Sequence, residues 1–317
     1  MRIRPPGAGT HETMTLQQLR TFLAIVEFGS FRRAARELEV SQAGLTTSIQ
    51  ALEQTLNLRL VVRSTHGITL TAEGRQIYER AQLIDREARQ IVTDADQLRG
   101  SGASSLSIGL GPTPTATLLG LVLPDFHKRF PDVRLNLTSG VFEHLESALQ
   151  QGRIELAFTA TPEAGVASNL ASLELFSSEL TVVAREGHAL AQADSLDELL
   201  KTEWVLLGAP GGPGGSVTRY YRDHGLTAPL VAATCESLTQ MVALIRGTDW
   251  MGMVPSVMME KDLMGKGLVM LKLRQGVPRY LNSAVYRREP QLSSAAQAFL
   301  AMSRSFARVL SRANQRL

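Results

Sequence analysis

A chain of 317 residues with 44% hydrophobic residues is long enough for about two domains with packed cores. No apolar run approaches the ~20 residues of a membrane span, and residues 1–13 carry Arg2 and Arg4 with no apolar core behind them, which argues against a secretory signal. A net charge of +3 does not by itself mark a nucleic-acid binder, and a single cysteine, Cys235, cannot close an intramolecular disulfide, so cytoplasm is the expected compartment.

Residues 1–13 read as a disordered leader, and Met14, where the helical pattern begins, is an alternative start. Leu16, Leu19, Phe22, Leu23 and Val26 then recur at helical spacing and predict a first helix ending near Gly29. Ser30 can cap a second helix, with Phe31, Ala34, Ala35 and Leu38 on one face. Ser41 can cap a third, with Leu45, Ile49, Leu52 and Leu56. So short a connection between them forces a steep crossing, which lets the third helix project Gln42, Thr46, Thr47 and Gln50 into a DNA major groove. Amides and hydroxyls there can bond to base edges, and threonine methyls can meet thymine. Residues 59–70 alternate around Thr65-His66-Gly67 as strand, turn and strand. Arg63 is placed to meet phosphate and His66 to reach the groove edge, although both also read as solvated turn residues.

The run from Ser30 to Gly74 resembles the winged helix-turn-helix of LysR-type transcriptional regulators. The shared residues are Ser30-Phe31 before Ala34-Ala35, Ser41-Gln42, Leu45, Leu52-Glu53, Leu60, Arg63 and Leu70-Thr71-Ala72-Glu73-Gly74. The chain departs from the family pattern at Ala43, where proline is usual, at Val61, where phenylalanine is, and at Thr47, where a basic residue is frequent. These changes bear on the operator sequence rather than on the fold. The resemblance implies a DNA-binding domain over residues 14–70, with Ser30, Arg32, Ser41, Gln42, Thr46, Thr47, Gln50, Arg63 and His66 against double-stranded DNA.

From Thr71 a helix is predicted to about Arg99. Ile77, Ala81, Ile84, Ala88, Ile91, Ala95 and Leu98 follow alternating spacings of four and three, a heptad seam too narrow for a globular core. A partner helix is expected, so residues 71–100 read as a dimerisation helix; the alternative is one amphipathic helix lying on its own domain. The Gly/Ser-rich run at residues 100–105 reads as a flexible linker.

Strand-like and helix-like stretches alternate beyond it and predict an α/β domain on a mostly parallel sheet over residues 101–317. Extended chain at 173–183 leads to a second lobe, 280–286 reads as a returning strand and 293–310 as a closing helix. This order is similar to the two-lobed, periplasmic-binding-protein-like effector domain of the same family. Phe130-Pro131-Asp132-Val133, Leu149 with Gly152 and Glu155-Leu156-Ala157, and Gly187-His188-Ala189-Leu190 carry the match. Lobe I is expected at about 105–173 and 278–317, lobe II at about 174–277.

Ligands in such folds sit where strands lead into helix N-termini. Thr113 and Thr115 after the first strand can cap a helix or touch an effector, and Thr159 belongs to the same rim. The glycine-rich run 208–216 reads either as a flexible turn or as cleft lining, with Gly212 and Ser216 as candidates. Hydroxyls and helix N-termini point to a small organic anion as co-inducer. Arg304, Arg308, Arg312 and Arg316 make a basic face that reads as solvated or as a contact with DNA backbone or another subunit. None of the six histidines pairs at metal-ligand spacing and no G-x-S-x-G turn occurs, so neither a metal, a cofactor nor an enzyme is expected. The resemblance implies a homodimer or homotetramer that binds DNA and contacts RNA polymerase. The rival reading is an architectural DNA-binding protein without an effector.

Overall fold

A computed structural model describes residues 13–64, 67–98, 105–162, 164–209 and 214–314. The chain forms two compact units, residues 1–102 and 103–317.

In the first unit, helix α1 (Leu16–Phe28) begins in a capping box between Thr15 and Gln18 and ends at Gly29, whose φ of 63° reverses the chain. Helices α2 (Phe31–Glu37) and α3 (Gln42–Leu56) start at their serine caps, Ser30 and Ser41. Strands β1 (Val61–Ser64) and β2 (Gly67–Leu70) form an antiparallel hairpin, with Ile68 N–H bonded to Gly29 O at 3.2 Å. Phe22, Ile25, Ala34, Ile49, Leu52 and Leu60 fill one core shared by all of these elements. Helix α4 (Ala72–Leu98) leaves it so closely that a Cβ on Gly74 would lie 2.0 Å from Leu60 O.

The heptad seam divides on α4. Ala81 is fully buried in the first unit's own core and Ile77 packs half-buried against it, so Ala81 offers no surface to a second helix, which corrects that part of the expected seam. The cause is the close start of α4, which lays its first turns along α1. Beyond that point Ile84 and Ile91 are 42% and 69% exposed, with Ala88 and Ala95 partly exposed. Leu98 ends the helix, its side chain outside the described residues. On another face, buried Asp85 accepts from Arg20 Nε at 2.6 Å and Arg89 Nε at 2.9 Å, tying α4 to α1. Burial pushes the Asp85 carboxyl up, but the two arginines outweigh it and hold it below its ordinary 3.8.

The second unit opens with β3 (Ser105–Leu110), which enters a continuous helical stretch. That stretch comprises α5 (Pro112–Pro114), a π-helical turn (Thr115–Leu119) and α6 (Gly120–Arg129). There follow β4 (Arg134–Ser139), α7 (Phe142–Gln150), β5 (Leu156–Ala160), and β6 (Leu170–Arg185), which runs from one lobe into the other. The second lobe holds β7 (Glu203–Leu207), α8 (Gly215–Asp223), β8 (Leu230–Cys235), α9 (Leu238–Gly247), β9 (Met251–Pro255), α10 (Ser256–Glu260) and β10 (Leu268–Leu271). Strand β11 (Arg279–Arg287) returns to the first lobe and α11 (Ser294–Asn314) closes it. Strand order is β4-β3-β5-β11-β6-β9-β7-β8, with β10 on β6. The sheet is mixed rather than mostly parallel: β3 runs parallel to β4 and β5, and β7 parallel to β8 and β9, but β6, β10 and β11 pair antiparallel. The two strands that link the lobes must run in opposite directions, which is the reason.

Two outcomes follow from this packing. Gly74→Ala must push α4 off Leu60, and thermal unfolding followed by circular dichroism should show a destabilisation of about 1–3 kcal/mol. Asp85 contributes stability above the ordinary carboxylate range and loses it as pH falls through its lowered pKa, below 3.8. Asp85→Asn should therefore lower first-unit stability at pH 7, and the difference from the wild type should close as pH falls below 3.8; amide exchange in α1 and α4 is the readout.

Candidate functional site

The pair α2–α3 exposes one polar face. Ser30 Oγ accepts from Arg33 N–H at 3.5 Å and Ser41 Oγ from Gly44 N–H at 3.0 Å, so both serines act as helix caps. Arg32, Gln42, Thr47 and Gln50 are exposed and Thr46 is half-buried. Thr46 Oγ1 donates to Gln42 O at 3.0 Å and Thr47 Oγ1 to Ala43 O at 3.1 Å. With its proton engaged inside the helix, exposed Thr47 is not a donor, and the glutamine amides carry the donors. Arg63 lies in β1 opposite Ile68, with its side chain outside the described residues, as His66 is altogether.

A residue not expected as part of this site positions its hairpin. Glu53 Oε1 accepts from Leu60 N–H at 2.7 Å and Val61 N–H at 3.3 Å, and Oε2 lies 3.9 Å from Arg59. The sequence signal was an acid one position after buried Leu52. Thr71 does the same for α4: its hydroxyl donates to Arg59 O at 2.7 Å and accepts Gly74 N–H at 2.8 Å.

In the second unit a cavity of about 490 Å³ lies between the lobes. Thr113, Thr159 and Ser216 line it. Thr115 does not: its hydroxyl turns back to Gly111 O at 2.8 Å and its side chain is exposed, which corrects that assignment. Gly212 lies outside the described residues. Gly111 is required here, because a Cβ would sit 2.9 Å from Thr159 Oγ1. Pro112 and Pro114 occupy the first and third helical positions of α5 and have no N–H, so among those three only Thr113 keeps an amide donor for an anion. At the start of α8 the amides of Gly215, Ser216 and Val217 have no side-chain cap, and Arg219 follows one turn on.

Tyr280 and Asn282 complete the lining from β11 and were not anticipated, because a returning strand gives no sign of which lobe boundary its side chains face. Tyr280 OH hydrogen-bonds Thr113 Oγ1. Burial pushes its phenol up to about 12 against the pull of Thr113, Ser178 and Asn282. On the far side of the π-helical turn, Lys261 Nζ donates to Ala116 O at 2.8 Å and ties the second lobe to the first. Among the described residues no group of three or more histidine, cysteine or acidic side chains could hold a metal ion. No described helix is long and apolar enough to cross a membrane.

Residues 16–75 match the family described as bacterial regulatory helix-turn-helix protein, lysR family, and residues 99–308 match the LysR substrate binding domain. The SDS degradation transcriptional activation protein of a Pseudomonas species is 30% identical over 290 residues, covering 89% of this chain and 93% of that protein. A probable hydrogen peroxide-inducible genes activator of Streptomyces viridosporus is 30% identical over 72% of this chain and 74% of its own. Among solved structures, the LysR-family regulator CbnR superposes with a TM-score of 0.71 at 23% identity, over 93% of this chain and 99% of that one. Full-length CbnR with its target DNA gives 0.69 over 92% and 100%, also at 23% identity. At that identity the likeness establishes the fold.

Glu53→Ala should free the hairpin by leaving Leu60 and Val61 N–H without their acceptor, at about 1–3 kcal/mol. Glu53→Gln, which keeps one oxygen, should recover most of that loss in the same unfolding measurement.

Proposed function

We propose that this chain, which belongs to the LysR family of DNA-binding transcriptional regulators with an effector-binding domain, reads its operator with Gln42, Thr46, Thr47 and Gln50. Arg32 and Arg63, the caps at Ser30 and Ser41, and His66 bind the flanking phosphates and groove edge. The observation that carries this is the engagement of the threonine protons inside α3, which leaves two glutamine amides on an exposed face beside a hairpin locked by Glu53. Glutamine suits adenine, and the methyls suit thymine.

Two chains join along the exposed part of α4, from Ile84 through Ala88, Ile91 and Ala95 to Leu98, presenting two recognition helices to a two-part site. Pairing of such dimers gives the tetramer, and RNA polymerase is the further partner. The protein acts in the cytoplasm by binding and not by catalysis.

The effector enters the cavity between the lobes, touching Thr113, Thr159 and Ser216. The N-terminus of α8, whose N-cap Gly214 offers no side chain and whose Ser216 lines the cavity, supports an acidic group at that end of an organic ligand. Binding must favour one lobe arrangement over another to shift anything, and the Lys261–Ala116 bond is a contact that such a change would alter. Peroxide is a poor candidate for the effector despite the name of one relative. Cys235 is buried, its Sγ donates to Leu206 O at 3.5 Å, and burial pushes its thiol up, away from the reactive thiolate.

Footprinting on DNA around its own gene tests the reading. The wild type should protect a two-part site. Gln42→Ala/Thr46→Ala should lose that protection by about tenfold or more while keeping salt-sensitive non-specific binding. Equal protection by both proteins would overturn recognition by α3.

A further inference from the structure

Strands β6 and β11, which link the lobes, lay the floor of the cavity, and one charge on that floor stands by itself. Along β6 the side chains alternate: Leu173 and Leu175 pack against the first lobe's core, while Ser172 and Glu174 are exposed and line the cavity. Glu174 stands opposite Ser283 in the ladder, and Ser283 Oγ lies 3.0 Å from the hydroxyl of Thr161, another lining residue. The Glu174 carboxylate takes part in no hydrogen bond or ion pair among the described residues. Two cations line the same cavity and neither pairs with it. Arg279 lies 3.7 Å from Glu179, its neighbour across the strand pair, and Arg219 belongs to α8 in the other lobe.

Exposure lets water hydrate the Glu174 charge. An organic molecule that fills a space of about 490 Å³ bounded by Leu180, Val205 and Met253 displaces that water. A neutral or acidic end set against the carboxylate would then leave the charge with neither hydration nor a donor. A protonated nitrogen supplies both a donor and the opposite charge, in a bond stronger than one between neutral groups. Ser172 and Thr161 add hydroxyl oxygens along the same lining. Resting on the cavity as the effector site, we infer that the effector carries a cationic nitrogen, an ammonium or amidinium group, which Glu174 receives. With the acidic group assigned to α8, such a ligand is bipolar. Glu174 stands in the first lobe and α8 in the second, so its two charged ends hold the lobes to each other. Glu174 is then the residue that separates an amino-acid-like effector from a plain organic acid.

The test uses the full chain labelled at its methionine methyls, with the Met253 resonance assigned through Met253→Leu. Two pairs of near-equal shape are titrated to their solubility limits: 4-(aminomethyl)benzoate with 4-(hydroxymethyl)benzoate, and 2-phenylethylamine with 2-phenylethanol. The ammonium member of at least one pair should bind about tenfold tighter than its alcohol. Glu174→Gln, which keeps the size of the side chain and removes its charge, should bring that ratio to about one. Reading the ratio within a pair separates loss of this contact from any loss of fold. An alcohol that binds as tightly as its amine in both pairs, or an ammonium advantage that survives Glu174→Gln, would overturn the cationic effector while leaving the cavity as the effector site. If none of the four probes moves the Met253 resonance, the cavity assignment falls with it.

Discussion

The backbone of Leu60 is the point on which the DNA-binding unit turns. Its side chain is fully buried in the three-helix core, and its N–H is held by Glu53 of α3. Its carbonyl accepts from Thr71 N–H at 3.1 Å, and Gly74 presses against that carbonyl from the first turn of α4. One residue thereby fixes α3, the hairpin and the start of α4 relative to one another. A displacement at any of the three must pass through this contact, because a packed interior responds as a unit rather than yielding locally.

The second unit has a different organising device. Strand β6 pairs with β11 from Leu170 to Glu179, then with β9 and β10 from Leu180 to Arg185. Lobe motion must therefore bend an antiparallel ribbon at the place where Tyr280 and Asn282 meet the cavity. On the proposed reading, a ligand seated there touches a strand that links the lobes and residues of both lobes together. An effector placed there would bind two lobe arrangements with different affinity, since a change in lobe angle changes the contacts at the floor.

Much of this was legible before any coordinates, and for local reasons. Ser30 and Ser41 announce helices because their hydroxyls satisfy the first free amides, and they do so here. Glu155 and His188, read as family landmarks, turn out to be structural fasteners. Glu155 receives Ser293 at the start of α11, while His188 bonds Leu190 N–H and Asp249 O, each at 3.0 Å. What escaped was non-local. The heptad spacing on α4 is continuous in sequence, but nothing in it tells that Ala81 would be spent on the chain's own core. Thr113 and Thr115 are two residues apart and chemically identical, yet one reaches Tyr280 and the other folds back on Gly111. Pairing with β11 decides between them, across more than 160 residues of chain.

The departures from the family pattern acquire a physical meaning from the same geometry. Proline at position 43 would leave its carbonyl in place, so Ala43 is not needed for the bond from Thr47; what matters is the residue at 47 itself. A basic side chain there would reach phosphate or guanine with charge. Threonine instead turns its proton inward to Ala43 O from an exposed position. On the proposed reading the face trades charge-assisted contacts, which hold DNA of any sequence, for an amide and methyl surface that distinguishes bases. Less affinity then comes from α3 itself, and more must come from arginines beside it and from binding two half-sites at once. On the proposed reading, dimerisation through α4 is a condition of operator binding rather than an addition to it.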